Sequence, residues 1–313
     1  MILLLGASGY IGQAFQQELE ARGWAYAPLS RKQLDYSRFD RLLAFLREQK
    51  PTLVINAAGY TGKPNVDACE TARADTLHGN TLLPLSVAQA CLAAGIPFGH
   101  VSSGCIFSGA HIIGNGKPRV EKDLTRSDLK QLPETNPDAI RGFAETDEPN
   151  FTFRQPPCSF YSGTKALAEE AILPLGQNYI WRLRIPFDAW DNSRNYLSKV
   201  QRYPKVYDNV NSLSHRGDFA RACLDLWERR AAFGVYNITN PGYVTTRQVV
   251  RLIQEILQPK RAFVFWASDE EFYRVAAKTP RSNCVLDTSK LLATGVHLRP
   301  VEEALRASLK DWK

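Results

Sequence analysis

Apolar and polar positions along this chain follow two rhythms. Short, mostly apolar runs recur at Ile2–Leu5, Tyr26–Leu29, 52–56, Phe98–Ser103 and 180–185. Between them, at 11–22, 38–49, roughly 64–72, 80–93 and 161–175, apolar residues return every three or four positions. A run too short for a helix and apolar on both faces reads as a strand buried in a parallel sheet. The longer period reads as an amphipathic helix. Strands alternating with helices predict an α/β fold with a doubly wound parallel sheet. Ligands of such sheets bind at the carboxyl ends of the strands, where Asn56, Ser103 and Ile185 are expected.

Residues 108–157 break the rhythm. They are polar and rich in Pro, Gly and charge, and suggest only a short helix near 124–132. A stretch this long inside a compact domain reads either as a functional lid or as an inert insertion. After Pro186 a helix is predicted at 217–230, a strand at 234–238 and a helix at 246–257, with shorter elements to the end. The division expected is a Rossmann-like dinucleotide-binding domain over 1–187, carrying the insertion 108–157. A smaller C-terminal substrate lobe takes most of 188–313, with about 217–257 returning to the main sheet.

The first predicted strand runs into Gly6-Ala7-Ser8-Gly9-Tyr10-Ile11-Gly12. This spacing lets the chain turn tightly and brings backbone N–H groups close to a pyrophosphate, with the positive end of the next helix behind them. Gly6, Ser8, Gly9, Tyr10, Ile11 and Gly12 are therefore candidate cofactor contacts. The second strand ends in Leu29-Ser30-Arg31-Lys32, without the acidic residue that would bind a ribose 2′-hydroxyl. Arg31 suits a 2′-phosphate, so NADPH is expected over NADH. Asp35, Ala57, Ala58, Gly59 and Asn80 are further candidates for the adenine, the backbone contacts and the loop framework.

Tyr161 and Lys165 lie four apart on one predicted helix and share a face. A free phenol titrates near pH 10, and a neighbouring ammonium is expected to lower that value. Ser103, at a strand end, would donate to a substrate carbonyl. Serine, tyrosine and lysine in this order propose proton transfer to a carbonyl being reduced. Tyr161 and Lys165 would also border the cofactor.

These residues resemble the extended short-chain dehydrogenase/reductase superfamily. Within it, the match narrows to bifunctional 3,5-epimerase/4-reductases of rhamnose-type sugar nucleotides, with dTDP-4-dehydrorhamnose reductases as more distant relatives. It rests on the segment from Asn56-Ala57-Ala58-Gly59 to Ala68-Cys69-Glu70, and on Gly104-Cys105-Ile106-Phe107, Ser159-Phe160-Tyr161, Thr239-Asn240-Pro241-Gly242 and Pro280-Arg281-Ser282-Asn283. The resemblance implies hydride transfer to carbon 4 of a nucleoside-diphosphate 4-keto-6-deoxyhexose. It makes Cys105 one proton-transfer group for carbons 3 and 5 and Lys199 its partner on the opposite face. It puts Lys63, Asn195 and Arg281 on the substrate. Sugar-nucleotide dehydratases carry an Asp-Glu pair where this chain has Gly104 and Cys105, so dehydration is not expected. A reductase without epimerase activity and a non-catalytic cofactor-binding subunit remain the rival readings.

Composition changes little. The net charge is +7, but lysines and arginines are scattered, which favours an anionic small molecule over nucleic acid. The six cysteines have no CxxC spacing and lie mostly in apolar stretches, as expected of reduced, intracellular thiols. No metal-ligand spacing, membrane span or signal segment is read, so a cytoplasmic location is expected; the resemblance implies a homodimer.

Overall fold

A computed structural model describes residues 1–114, 117–126 and 128–313. Its centre is a six-stranded, fully parallel sheet. The strands are β1 (Ile2–Leu5), β2 (Tyr26–Leu29), β3 (Leu53–Asn56), β4 (Phe98–Ser103), β5 (Asn178–Leu183) and β6 (Gly234–Asn237). They lie in the order β6-β5-β4-β3-β1-β2, with Leu3 paired to both Ala27 and Val54. The fold is thus the doubly wound one that the alternating pattern predicts.

Every residue of β1 is buried because each face is covered. Ile2 and Leu4 pack with Phe15 and Leu19 of α1 (Tyr10–Ala21) and with Phe219 and Leu224 of α6 (Arg216–Glu228). Leu3 and Leu5 face the other layer. It holds Leu42 of α2 (Phe39–Gln49), Val87 of α3 (Leu83–Ala94) and Ile172 of α4 (Phe160–Ile172). Burying side chains of this size stabilises by about 1.5–3 kcal/mol each, which is what ties the alternation in β1 to both helical layers.

The helices expected at 64–72 and 80–93 are joined. Helical turns Ala68–Thr71 and Arg73–Leu77 pass through a π-turn, His78–Leu82, into α3. Such bulges gather at functional sites, and this one carries Asn80. The sheet strand expected at 180–185 ends at Leu183. Two residues on, Ile185 takes a left-handed φ of 38°, and the chain leaves the sheet there.

The lobe has its own core. Phe187, Leu197 of α5 (Tyr196–Arg202), Val249 and Ile253 of α7 (Thr246–Leu257) and Leu305 of α8 (Val301–Lys310) pack together. Of the stretch 217–257 expected to return to the main sheet, α6 and β6 do so. Helix α7 does not: its apolar stripe packs against α5 and α8, so it belongs to the lobe.

The insertion 108–157 contains a small antiparallel sheet of Ala110–Gly114, Lys117–Glu121 and Ile140–Arg141, while residues 115, 116 and 127 lie outside the described residues. The helix expected near 124–132 is absent from the described residues there. Asp123 Oδ1 accepts from the Thr125 amide at 2.9 Å and its hydroxyl at 2.6 Å, making a turn instead. The helix is one turn, Leu132–Thr135, with Pro133 at its start. Backbone bonds bind the insertion to 283–287, as Phe143 N–H to Val285 O at 2.9 Å and Asp287 N–H to Phe143 O at 2.8 Å. A Cβ on Gly142 would lie 2.2 Å from the Leu286 carbonyl carbon, so nothing larger fits that contact. The insertion packs on the lobe through Ala110, Ile112, Leu124, Leu129 and Ile140 against Val210 and Val285, and among its described residues none lines the cavity below. Among the described residues no helix is long and apolar enough to cross a membrane.

Candidate active site

A cavity of about 980 Å³ opens between the carboxyl ends of the sheet strands and the lobe. At one end lies the glycine turn. Gly6 has φ 75°, and a Cβ there would meet the Ala58 amide nitrogen at 2.5 Å. A Cβ on Gly12 would fall 2.1 Å from the Gly6 carbonyl oxygen. The exposed Gly9 begins α1 with no side-chain cap, so the first N–H groups of that helix are free for an anion. Gly9, Tyr10 and Ile11 line the cavity; Gly6, Ser8 and Gly12 shape the turn beside it.

Ala57, Ala58 and Gly59 form the next wall. Asn80 holds this loop in place. Its Oδ1 accepts from the Tyr60 amide and its Nδ2 donates to the Tyr60 carbonyl, each at 2.8 Å. Arg31 and Asp35 follow β2 and lie off the wall of the cavity. Arg31 is exposed and makes no ion pair among the described residues. The Asp35 carboxylate accepts from the Ser37 hydroxyl at 2.5 Å, which holds it below the usual carboxylate range.

The strand end of β4 and the start of α4 bring Ser103, Cys105, Tyr161 and Lys165 to the middle of the cavity. Ser159 caps α4, accepting from the Ser162 amide at 3.1 Å. Lys165 is buried and donates to the Val101 carbonyl at 3.1 Å. Burial pushes its ammonium down to about 8, while Cys105 and Glu169 work the other way. The Ser103 Oγ accepts from the Cys105 amide at 3.2 Å, and Ser103 pulls the Cys105 thiol and the Tyr161 phenol down. The expected lowering of the Tyr161 pKa does not occur. Burial pushes the phenol up against the pull of Ser103 and Arg184, because removing a phenolate from water outweighs nearby charge. Burial likewise raises the Cys105 thiol.

Lys199, on α5, lines the facing wall. Its ammonium is pushed down by burial and then by Arg194. Two residues expected on the substrate are elsewhere. Gly62, at φ 68° with only 2.4 Å between a Cβ and the Asn65 carbonyl, turns the chain so that Lys63 is exposed and off the cavity wall. Asn195 is buried and committed: its Nδ2 donates to Asp188 and Trp190, and its Oδ1 caps α5 by accepting from the Leu197 amide at 3.0 Å. It orients the helix that carries Lys199 rather than touching a ligand. Arg281 lines the cavity, but Asp67 holds its guanidinium by two bonds of 2.6 and 2.7 Å.

The structure adds groups that sequence spacing did not mark. Arg194 lines the cavity and donates to the Gly62 carbonyl at 3.0 Å, with no carboxylate partner among the described residues. In the lobe, Tyr207 and Phe272 stack at 3.9 Å and Lys205 sits 4.8 Å over Trp266, making an aromatic wall. Residues 260–276 carry no clean periodicity, so nothing announced that wall. Arg182 and Arg184, two apart in sequence, have different fates. Arg182 is buried in an ion pair with Glu169, and Arg184 reaches the cavity.

The whole chain, residues 1–313, matches the family described as the RmlD substrate binding domain. The chain belongs to the RmlD substrate-binding-domain family. A relative in that sense is the bifunctional dTDP-4-dehydrorhamnose 3,5-epimerase/dTDP-4-dehydrorhamnose reductase of Arabidopsis thaliana. It is 31% identical over 306 residues, which cover 97% of this chain and 90% of that protein. Among solved structures, the L780 UDP-rhamnose synthase of Acanthamoeba polyphaga mimivirus superposes with a TM-score of 0.81 at 23% identity, over 99% of this chain and 98% of that one. The dTDP-4-dehydrorhamnose reductase of Bacillus anthracis, solved with NADP, gives a TM-score of 0.72 at 18% identity, over 99% and 96%. The RmlD fold of these proteins is the fold described above.

Proposed function

We propose that this chain is an NADPH-dependent 3,5-epimerase/4-reductase of a nucleoside-diphosphate 4-keto-6-deoxyhexose, giving a rhamnose-type sugar nucleotide. The observation that carries the reading is one cavity lined by Ser103, Cys105, Tyr161, Lys165 and Lys199. The coarser part, a nicotinamide-dependent sugar-nucleotide reductase, rests on the named activities of the relatives. The residues fit a dinucleotide: the Gly6 and Gly12 positions leave no room for a Cβ, and the uncapped end of α1 faces the same cavity.

When bound, NADPH supplies the hydride for carbon 4. The protein's own groups do the rest. A ketone at carbon 4 acidifies the protons on carbons 3 and 5. Lys199, its ammonium destabilised by burial, takes a proton from one face as an amine. Cys105, whose thiol burial keeps protonated, gives one to the opposite face. The ammonium and thiolate so formed reset by proton exchange. Ser103 and Tyr161 donate to the ketone oxygen while charge is on it. In the reduction Tyr161, a protonated phenol, delivers its proton to that oxygen. Lys165 holds the cofactor's ribose beside Gly59. Arg194, free of a carboxylate, supports the substrate's diphosphate together with Arg281.

The test is NADPH oxidation with UDP-4-keto-6-deoxyglucose made in situ in deuterated water, with NMR of the product. Deuterium at carbons 3 and 5 of a rhamnose-type product is the expected result. Oxidation without label, giving an unepimerised 6-deoxy sugar, leaves a reductase alone. Binding of NADPH with no turnover of UDP, dTDP or GDP substrates leaves a non-catalytic subunit. Arg31→Ala is expected to weaken NADPH binding by about tenfold or more while NADH binding holds, since only the 2′-phosphate needs a guanidinium. Equal affinities for NADPH in the two proteins, by fluorescence titration, would remove Arg31 from the site.

A further inference from the structure

Arg184 stands one residue beyond the end of β5 and is 6% exposed. Its Nη2 donates to Asn211 Oδ1 at 2.6 Å and to the Ser282 carbonyl. Among the described residues it has no carboxylate partner, and its Nε is buried without any hydrogen-bond partner. The next residue, Ile185, is held at φ 38°, a left-handed conformation that costs a β-branched residue on the order of 1–3 kcal/mol. Ser214 secures that turn from both sides, its hydroxyl accepting from the Arg184 amide at 2.9 Å and its amide donating to the Arg184 carbonyl at 2.7 Å. Arg184 and Ile185 both line the cavity. The chain thus uses a strained backbone to bring an unpaired guanidinium against the reacting centre. Arg182, two residues earlier, shows the alternative: its charge is neutralised by Glu169.

We propose that Arg184 is a catalytic residue of the epimerisation half, its charge stabilising the enolate that forms at the sugar ketone. This rests on the epimerase reading of the site. Removing a proton beside the ketone with an amine puts a full negative charge on the substrate, in a cavity where charge is poorly solvated. A guanidinium is by its chemistry a fixed cation, whereas burial pushes the Lys165 ammonium down to about 8. Hydride transfer with a proton from Tyr161 ends in a neutral alcohol and depends less on a fixed cation. Arg184 also lowers the pKa of both Cys105 and Tyr161. The other groups facing the Cys105 thiol are Ser103 from β4, Ser162, Lys165 and Tyr161 from α4, and the thiols of Cys69, Cys158 and Cys284.

The experiment compares the unaltered enzyme with Arg184→Gln and Arg184→Lys. Three quantities are read: deuterium wash-in at carbons 3 and 5 of the 4-keto sugar without NADPH, NADPH-dependent reduction of an already epimerised 4-keto sugar, and the pH midpoint for iodoacetamide alkylation of Cys105. In Arg184→Gln, wash-in is expected to fall about 100-fold, the size of losing one oxyanion donor, with reduction within about threefold. The alkylation midpoint rises in Gln and not in Lys, a shift that loosened packing alone would not reverse with charge. If the Gln variant does not fold, Arg184→Lys decides, with wash-in about tenfold down and the midpoint unmoved. Unchanged wash-in, or wash-in and reduction falling by one factor, overturns the proposal. Reduction without wash-in in the unaltered enzyme refutes the epimerase reading itself, and with it this role for Arg184.

Discussion

Replacing Cys105 with serine is expected to lower turnover of an unepimerised 4-keto-6-deoxy sugar by about 10²–10⁴-fold, the usual share of a positioned acid or base. A sugar already epimerised at carbons 3 and 5 should still be reduced at close to the normal rate. The two reactions share the ketone but not their proton donors. Reduction draws on Ser103, Tyr161 and Lys165, which the substitution leaves in place. Epimerisation needs an acid poised on one face, and a serine hydroxyl is far weaker than a thiol. The change is small in volume, so the packing of this segment with Phe107, Phe143 and Leu286 should hold. Nor can a neighbour stand in: the Cys284 thiol donates to the Gly104 carbonyl at 3.2 Å and is tied to the backbone. Full turnover by Cys105→Ser on the unepimerised sugar, with label at both carbons, would remove Cys105 from the mechanism.

What the sequence made legible follows from how local each signal is. The β-strands and flanking helices of the main sheet are written in short-range periodicity, and the glycine turn in residues that sit together in the chain. Tyr161 and Lys165 share one helix, so their spacing alone places them side by side. The lobe is different. Helix α7 has the amphipathic pattern of a sheet-covering helix, and nothing within it says whether its stripe meets the sheet or α5 and α8. Arg281 has the charge for a phosphate clamp, but its partner Asp67 lies 214 positions away. Asn195 looks like a ligand donor until its amide is seen capping α5. The raised phenol of Tyr161 belongs to the same class. Spacing shows a nearby lysine, whereas burial, which decides the direction, is a property of the folded cavity.

Arg182→Met should be among the most destabilising single changes in the chain, by about 3–5 kcal/mol near neutral pH, as for a buried ion pair that loses one partner. Glu169 Oε2 accepts from Arg182 Nε at 2.9 Å and from Nη2 at 2.7 Å, and the Ser102 hydroxyl donates to Oε1 at 2.5 Å. The two side chains are 4% and 7% exposed. The cluster joins α4 to β4 and β5, one turn below Lys165, so it fixes the helix that presents the proton-transfer groups. In the variant the carboxylate is left buried with one neutral donor, and its folded pKa must rise above the unfolded value near 4.3. A buried carboxylate of raised pKa destabilises above that pKa and ceases to do so once protonated. The penalty should therefore be largest at pH 7–8 and shrink as the pH falls through the raised value toward the unfolded value near 4.3. Glu169→Gln strands a guanidinium that cannot lose its proton, so its penalty should stay level over the same range. The double variant Arg182→Met/Glu169→Gln removes both charges and should be more stable than Arg182→Met alone. Urea midpoints for the three proteins at pH 5.5 and 7.5 decide the matter. A pH-independent loss in Arg182→Met, or a double variant no better than the single, would mean that packing against Phe107, 5.2 Å from the guanidinium, carries the effect instead of charge.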